Sequence, residues 1–205
     1  ENSTPCWSLT RINGSQEPSI CTICYVQVSY NIMKDILEKA SSIKLLIFDV
    51  DGVLTDGSLF FGDDGQEYKA FNSQDGHGIK MLQKHGVRCA IITGRTSNVV
   101  EHRMRNLGID LLYQGQENKL EGFAHLLERV QLSPEQVAYV GDDVVDLPVM
   151  RQVGLAIAVR DAHPWVLQHA HWQTPRDGGR GAARDVCEML LEAQGILKKE
   201  LESYL

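Results

Sequence analysis

The sequence has no run of about 20 apolar residues, the length that a helix needs to cross a bilayer. It also has no excess of basic residues, because 20 Lys and Arg stand against 27 Asp and Glu and give a formal net charge of −7. An acidic chain lacks the electrostatic footprint of a nucleic-acid-binding protein. Such a chain captures an anionic substrate with local positive groups. We therefore expect no membrane partner and no nucleic-acid partner.

Cysteines are few and odd in number, and no basic region followed by an apolar one opens the chain as in a secretory signal. A chain of 205 residues builds a core without disulfides. We therefore expect free thiols and a cytoplasmic, reducing location. Cys21 and Cys24 form a CxxC, but no second CxxC follows, so unpaired thiols are favoured over half a zinc site or a redox pair. The cysteines are Cys6, Cys21, Cys24, Cys89 and Cys187.

The first 29 residues differ in character from the rest of the chain. They lack clear periodicity and carry Ser, Thr, Pro and Gly, so residues 1–29 are predicted to be an irregular N-terminal extension. Helical spacing begins at Ile32 and continues to Ala40. The range 30–205 is predicted to form one domain, because its length suits a single core and no internal repeat is visible.

The most informative stretch is IKLLIFDVDGVLT at 43–55. Its apolar run predicts a strand buried on both faces, as in a parallel sheet. The run ends in Asp49 and Asp51, and open α/β sheets bind ligands outside the carboxyl ends of their strands. The i, i+2 spacing puts both carboxylates on one side, where two like charges favour a shared cation or proton. An acidic turn without function is the alternative.

Strands alternate with helices along the remaining chain, which predicts an α/β fold with a doubly wound, parallel, Rossmann-like sheet. Apolar and aromatic runs at 58–61 and 67–71, on both sides of GDDG at 62–65, predict a β-hairpin. Residues 72–78 are predicted to form a turn that leads into a helix at 79–85. The other predicted strands are 87–93, 111–113, 137–140 and 155–159. The other predicted helices are 97–107, 118–130, 147–152, 164–170 and 182–194, with a polar tail to residue 205.

Four short motifs follow one another along the chain. They are DVDGVLT at 49–55, AIITG with Thr93, Lys119 within NKLEGF, and VGDD at 140–143 with Asp146. In this order they resemble the motifs of the haloacid dehalogenase superfamily of phosphohydrolases. A match to all four, each after a suitable element, is more specific than one motif alone. The resemblance implies a magnesium-dependent phosphoric monoester hydrolase.

The resemblance implies roles for the acidic residues. Asp49 is the expected nucleophile, which would form an aspartyl-phosphate and divide the reaction into two easier steps. Asp51 is the expected acid and then base. Mg²⁺ is expected on Asp49, the main-chain carbonyl of Asp51 and Asp142, because oxygen ligands with few carboxylates suit this ion. Asp143 and Asp146 stay open: one of them positions Lys119 or a metal-bound water, and Asp146 is equally suited to cap a helix.

Three further residues are expected at the phosphoryl group. The hydroxyl of Thr93 and the N–H of Gly94 are expected to bind phosphoryl oxygens, because a turn entering a helix N-terminus favours anions. Lys119 is expected to neutralise the phosphoryl group and the carboxylate of Asp49. If the order of the motifs is disregarded, the alternatives are that Lys119 is a solvated lysine on a helix and that Thr93 caps the end of a strand.

A narrower resemblance rests on the stretches FDVDGVLTDG, NSQDGHGI, TGR, GDDVVDLPVM and GGRGAARDV. These stretches resemble those of one group of this superfamily, the 3-deoxy-manno-octulosonate 8-phosphate (KDO 8-phosphate) phosphatases. This resemblance implies a Mg²⁺-dependent cytoplasmic homotetramer that acts on a small phosphorylated sugar acid, in lipopolysaccharide precursor synthesis. Arg95 and Arg180 are then expected to bind the sugar-acid carboxylate or the phosphate, since Arg suits bidentate capture. His77, within DGHGI, is the histidine expected near the site.

The spacing of the motifs excludes a cap domain. Fewer than 40 residues separate Thr55 from Thr93, and about 25 separate Thr93 from Lys119, whereas a folding domain needs roughly 50. Neighbouring subunits are therefore expected to close the site over a small substrate, or else the substrate is a macromolecule.

Three other functions compete with this one. A phosphatase for a nine-carbon sugar-acid phosphate has the same motifs. A non-catalytic oligomerisation module is disfavoured because Asp49, Asp51, Lys119 and Asp142 are all present. A phosphorylated receiver-type switch is disfavoured because it has no need of Asp51 or of the TGR turn.

Overall fold

The computed structural model describes residues 7–12, 15–20 and 22–205, in which strands alternate with helices. The strands are β1 (Trp7–Ile12), β2 (Ser15–Ile20), β3 (Leu45–Phe48), β4 (Phe60–Phe61), β5 (Glu67–Tyr68), β6 (Arg88–Ile92), β7 (Leu111–Tyr113), β8 (Val137–Gly141), β9 (Leu155–Ala158) and β10 (Trp172–Gln173). The helices are α1 (Thr22–Ser41), α2 (Ser73–Lys84), α3 (Asn98–Leu107), α4 (Lys119–Val130), α5 (Leu147–Met150), α6 (Pro164–Leu167), α7 (Ala182–Ala193) and α8 (Leu197–Glu202).

Six parallel strands form the central sheet in the order β10-β9-β8-β3-β6-β7. All four residues of β3 are fully buried, because strands pair on both of its edges and helices cover both of its faces. The chain leaves β3 towards β6 and β7, then returns to β8 and continues outward to β10. The order therefore reverses between β3 and β8, which is where doubly wound sheets bind ligands. The α/β prediction is confirmed.

The face of the sheet on which each helix lies follows from right-handed crossovers between parallel strands. The crossovers from β3 to β7 put α2 and α3 on one face, and those from β7 to β9 put α4 and α5 on the other. Accordingly α2 packs against α3 and α7, α1 packs against α7, and α4 packs against α5. The core between these layers consists of Val, Ile, Leu and Ala with the fully buried rings of Phe48, Phe123 and Tyr139. Among the described helices, none has the length and apolarity needed to span a bilayer.

The start of α2 differs from the sequence prediction. The helix begins at Ser73, because the side chain of Asn72 accepts a hydrogen bond from the N–H of Gln74 and caps the first turn. Two glycines in 72–78 are typical of a turn, but both are buried in α2. A Cβ added to Gly78 would lie 2.8 Å from a side-chain atom of Arg184. Gly78 therefore allows α7 to approach α2, and Gly76 allows the side chains of Arg103 and Leu107 of α3 to do so.

The chain ends also differ from the prediction. Residues 7–12 and 15–20 form the antiparallel pair of β1 and β2, and α1 begins at Thr22, ten residues before the predicted helix. The predicted polar tail contains α8, whose buried Glu200 accepts hydrogen bonds from Lys84 of α2. The thiols of Cys89 and Cys187 are free and buried, and Cys6 and Cys21 lie outside the described residues.

The segment between the first and second motifs contains only the β4–β5 hairpin and α2, so no cap domain is inserted there. The hairpin pairs Phe60 with Tyr68 and Phe61 with Glu67. Its two strands are shorter than predicted, with two residues each. We call residues 58–71, which contain this hairpin, the flap.

The boundary between the extension and the domain remains a prediction, and a deletion tests it. Removing residues 1–29 should leave the melting temperature within a few degrees, because β1 and β2 form a sheet separate from the central one. The shortened α1 keeps Ile36 and Ala40, which it buries in the core. Thermal unfolding of both proteins measures the effect.

Ile36→Ala in the full chain serves as the control for this deletion. It removes buried methyl groups and should lower the free energy of unfolding by about 2–5 kcal/mol. A deletion that destabilises as much as this control would show that the extension belongs to the domain.

Candidate active site

The site is built where three strands of the sheet end side by side. Phe48 of β3 lies level with Val140 of β8 and with Ile91 of β6. The N–H of Asp49 donates to the carbonyl of Val140 at 3.1 Å, which extends the ladder by one residue. The register therefore brings Asp49 and the residues that follow β6 and β8 to one edge.

Lys119 lies between two carboxylates at this edge. Its Nζ is 2.9 Å from Oδ2 of Asp49 and 2.6 Å from Oδ1 of Asp146. The side chain of Asn118 caps α4 by accepting from the N–H of Leu120, and this cap fixes the residue that precedes Lys119. Burial alone would lower the pKa of Lys119, but Asp146 and Asp49 outweigh it and raise that pKa above its usual value. The ammonium group therefore stays charged.

Asp146 organises the loop that follows β8. Its Oδ1 also accepts from the hydroxyl of Tyr139 at 2.7 Å, and its Oδ2 accepts from the N–H groups of Asp142 and Asp143 at 3.0 and 3.2 Å. Burial raises the pKa of Tyr139 well above its usual range, so the hydroxyl remains a donor. Both oxygens of Asp146 are thus engaged by the protein, and its role is to hold Lys119 and the loop.

Two other carboxylate oxygens have no hydrogen-bond partner among the described residues. Oδ1 of Asp49 and Oδ1 of Asp142 are buried and accept no hydrogen bond within the described part of the chain. Oxygens of Asp49, Asp142 and Asp146, one from each, lie within 4.8 Å of one another. An unpaired buried carboxylate is costly, and a bound cation removes that cost. Oxygen donors of this kind fit Mg²⁺.

The pKa values of the carboxyl groups reflect the same crowding. Burial, followed by the charge of Asp146, raises the pKa of Asp49 to about 6. Burial, followed by the charges of Asp146 and Asp49, raises the pKa of Asp142 to about 8. Without a cation, the site therefore retains protons at a pH where isolated carboxyl groups are ionised.

A glycine allows the two acidic loops to meet. Gly52 has φ +86°, a left-handed conformation that favours glycine, and a Cβ added to it would lie 2.1 Å from Oδ2 of Asp142. The carboxylate of Asp142 therefore lies directly against the backbone of the turn that follows Asp49. The DGVLT and GDD motifs fit each other through this contact.

Thr93 and Gly94 lie on the wall of a cavity of about 500 Å³ at the same edge. Thr93 is buried, and its N–H and carbonyl are bound to Tyr113 and Gln116. The next helix, α3, begins only at Asn98 with Ser97 as its N-cap residue. The cavity is lined by Asp49, Asp51, Gly57, Thr93, Gly94, Arg95, Gln116, Glu117, Lys119, Asp142, Asp143 and Val145.

Asp51 belongs to a closed ring of four charged side chains. Lys69 donates a hydrogen bond to its Oδ1 and lies 3.2 Å from Oε1 of Glu67. Arg95 donates to the same Oε1 at 2.9 Å, and its Nε lies 3.7 Å from Oδ2 of Asp51. Acidic and basic groups alternate around this ring, so its charges balance.

Sequence reasoning missed Lys69 and Glu67. Both residues come from the flap, at positions i and i+2 of an extended segment, where side chains share a face. That spacing was the available signal. It identifies no partner, because the approach of the flap to Asp51 depends on the folded loop between them.

Two expected site residues do not reach the cavity. His77 is on the exposed face of α2, where its ring lies 5.6 Å from the ring of Tyr204. Arg180 forms an ion pair of 2.8 Å with Asp56, in the loop after the first motif. Neither side chain lines this cavity, and a role for either in substrate binding stays a prediction.

Comparisons with known proteins agree with this geometry. A family model for haloacid dehalogenase-like hydrolases matches residues 65–154. The 3-deoxy-D-manno-octulosonate 8-phosphate phosphatase KdsC of Escherichia coli K12 is 53% identical over 174 residues, which cover 85% of this chain and 90% of the relative. KdsC of Yersinia pestis is 50% identical over 175 residues, which cover 85% and 94%.

Solved structures lead to the same group. The phosphatase of this name from Moraxella catarrhalis, in complex with magnesium, phosphate and KDO, has a TM-score of 0.83 at 38% identity, covering 84% of this chain and 99% of that one. The Yersinia pestis structure has a TM-score of 0.79 at 44% identity, covering 95% and 96%. The chain therefore belongs to the haloacid dehalogenase-like hydrolases and, within them, to the family of the 3-deoxy-D-manno-octulosonate 8-phosphate phosphatases.

Proposed function

We propose that this chain hydrolyses KDO 8-phosphate to KDO and phosphate, with Mg²⁺ as cofactor. The observation that carries the proposal is the group formed by Asp49, Lys119 and Asp142 at the switch point of the sheet. It combines a buried carboxylate, an ammonium group 2.9 Å away and unpartnered oxygens that fit a cation. Family membership supports the choice of substrate.

In the first step, Oδ2 of Asp49 attacks the phosphorus atom and the ester P–O bond breaks. Lys119, which is bound to the same oxygen, orients it and neutralises charge on the phosphoryl group. Asp51 gives its proton to the departing alkoxide. The products are the free sugar acid and an aspartyl-phosphate on Asp49. Bound Mg²⁺, on Asp49, Asp142 and the main-chain carbonyl of Asp51, would supply further neutralisation of phosphoryl charge.

In the second step, Asp51 acts as the base. It takes a proton from a water molecule, the water oxygen bonds to phosphorus, and the bond to Asp49 breaks to release phosphate. The hydroxyl of Thr93 and the N–H of Gly94 bind phosphoryl oxygens during both steps. Asp51 regains its proton in this step, so the cycle closes without a further proton donor.

Arg95 is the residue we assign to the anionic sugar acid. It lines the cavity, and its side chain is 45% exposed, so the guanidinium that bonds to Glu67 also presents N–H groups to a bound carboxylate. Arg180 has a different role in this proposal, because its ion pair with Asp56 fastens the loop after the first motif. The family resemblance further supports a cytoplasmic location and a place in lipopolysaccharide precursor synthesis.

Replacing the nucleophile tests the mechanism. Asp49→Asn keeps the size of the side chain and removes the attacking oxygen, so phosphate release from KDO 8-phosphate should fall about 10⁴-fold or more. Asp110→Asn is a matched control at an exposed site and should keep full turnover. Near-normal turnover of Asp49→Asn, with an unchanged circular dichroism spectrum, would remove Asp49 from the role. A nine-carbon sugar-acid phosphate in the same assay tests the competing substrate.

Magnesium affinity should increase as the pH rises towards 8. The raised pKa values of Asp142 and Asp49 mean that the cation displaces protons, at about tenfold in affinity per pH unit for each proton displaced. Calorimetric titrations at pH 6, 7 and 8, in buffers of different ionisation enthalpy, measure both the affinity and the protons released. Asp142→Asn should weaken binding strongly, and Ca²⁺ should support less turnover than Mg²⁺.

The same linkage predicts the effect on stability. Asp142 ionises near 3.8 in the unfolded chain and near 8 in the metal-free fold, so metal-free stability falls as the pH rises between these values. Mg²⁺ should therefore raise the melting temperature more at pH 8 than at pH 6. A magnesium affinity that is independent of pH would contradict this assignment of the site.

We also propose a homotetramer, in which the flaps of neighbouring subunits pack together. Phe60 and Phe61 of the flap are 52% and 59% exposed, and Leu59 and Tyr68 are exposed beside them. A group of exposed aromatic residues on a short hairpin is suited to a subunit interface. Packing there would also keep the flap over a site that has no cap domain.

A double substitution in the flap tests the oligomer. Phe60→Ser with Phe61→Ser should convert the tetramer to smaller species in sedimentation velocity, because it removes apolar area from the interface. Trp165→Ser is the control, since Trp165 is equally exposed but lies on α6. A wild-type monomer with full activity at assay concentration would contradict the proposal.

A further inference from the structure

Lys69 has an unusual environment for a lysine at the base of a flap. Its side chain is 1% exposed, although the neighbouring flap residues Phe61 and Tyr68 are open to solvent. A buried ammonium group needs nearby negative charge to offset its lost hydration. Two carboxylates meet that need, Asp51 by a hydrogen bond and Glu67 at 3.2 Å. The flap therefore holds this buried ammonium group in contact with the carboxylate of Asp51.

The hydrogen bond from Lys69 distinguishes the two carboxylate oxygens of Asp51. Lys69 occupies Oδ1, whereas Asp51 also lines the cavity that contains Asp49 and Lys119. Arg95 approaches Oδ2, but its Nε lies at 3.7 Å, beyond a normal hydrogen bond. Oδ2 is thus left for the reacting atoms while Oδ1 is held.

The second carboxylate keeps this arrangement together. Glu67 accepts from Arg95 at 2.9 Å and lies next to Lys69, so it links the flap to the turn after β6. Burial opposes the charge of Glu67, but hydrogen bonds from Ser97, Arg95 and Lys69 hold its pKa below the usual value. Glu67 therefore stays ionised and balances Lys69.

We propose that Lys69 is a positioning residue for Asp51, and that the flap orients the group that moves the proton. Lys69 fixes the carboxyl group by Oδ1, so that Oδ2 is aimed at the leaving oxygen in the first step and at water in the second. This inference rests on the proposed function. It adds a residue from the flap, which shares no motif with the four that carry the chemistry.

A leaving-group comparison separates this role from a purely structural one. Lys69→Met keeps the length of the side chain and removes the charge. Nitrophenolate leaves without a proton, so the first turnover of p-nitrophenyl phosphate, followed by stopped flow, should change less than about threefold. Its steady-state rate should fall about 10- to 100-fold, because the aspartyl-phosphate needs Asp51 as a base. Turnover of KDO 8-phosphate, whose alkoxide needs a proton, should fall at least as much.

Two further variants complete the design. Lys80→Met makes the same substitution at an exposed lysine of α2 and should leave both rates unchanged. The double variant Glu67→Gln with Lys69→Met removes one charge of each sign, so it leaves no unbalanced acid and should fold as the wild type does. It should reproduce the pattern of Lys69→Met, with a first turnover of the aryl ester faster than its steady state.

The outcomes are distinguishable. Equal losses in the first turnover of the aryl ester and in the turnover of KDO 8-phosphate would show that Lys69 supports the fold and would overturn the inference. Unchanged rates for both Lys69 variants would also overturn it, and would leave the proposed function intact. A wild-type protein that hydrolyses neither ester would overturn the proposed function together with this inference.

Discussion

Crowding of carboxylates at the ends of β3 and β8 is the constraint on which this site depends. Asp49, Asp142 and Asp146 meet where the register of the parallel sheet places them, and two of the three are raised in pKa by burial and mutual repulsion. Lys119 offsets part of this repulsion from a position between Asp49 and Asp146. Removing it would leave buried charge without compensation, which is strongly destabilising. The lysine is thus structural as well as catalytic in the proposed reaction.

Two segments that are distant in sequence from the four motifs support the loops that carry the site residues. Asp75 of α2 is buried and accepts from the N–H groups of Gly181 and Arg184 at the start of α7. A Cβ added to Gly178 would lie 1.7 Å from the carbonyl oxygen of Gly52, so this loop rests directly on the turn after the first motif. The NSQDGHG and GGRGAARD stretches therefore hold each other and the catalytic turn. This packing gives them a physical role even though His77 and Arg180 do not reach the cavity.

Much of the fold and site could be predicted from local patterns. Apolar runs that end in Asp49, Thr93 and Asp142 place these residues at one sheet edge, because parallel strands share an orientation. The Gly108 C-cap of α3 and the Asn118 N-cap of α4 agree with the predicted ends of these helices. The sequence does not predict the start of α2, because its two glycines serve packing against α3 and α7, and such a need is visible only in the folded chain.

The position of Lys69 was missed for a related reason. Periodicity assigns a side chain to a face of a hairpin, but the curvature of the flap decides what that face meets. The sequence neighbours of His77 predict that it lies near the site. In α2, however, His77 lies on the exposed face, opposite the face that buries Asp75. Interactions between distant segments are thus the part of the site that sequence patterns describe least.

The site contains two sets of charged side chains that differ in net charge, and this difference separates their roles in the proposed reaction. In the ring of Asp51, Lys69, Glu67 and Arg95, two acids face two bases, so the charges balance when Asp51 is ionised and the ring is positive when Asp51 carries the proton of the first step. In neither state does the ring have an excess of negative charge for a metal. In the group formed by Asp49, Asp142 and Asp146, three carboxylates face the one ammonium of Lys119, which leaves two negative charges when all are ionised. A divalent cation matches that excess. In the proposed reaction, the metal therefore belongs with the nucleophile, and proton transfer belongs with the ring, where Lys69 holds the carboxyl group of Asp51.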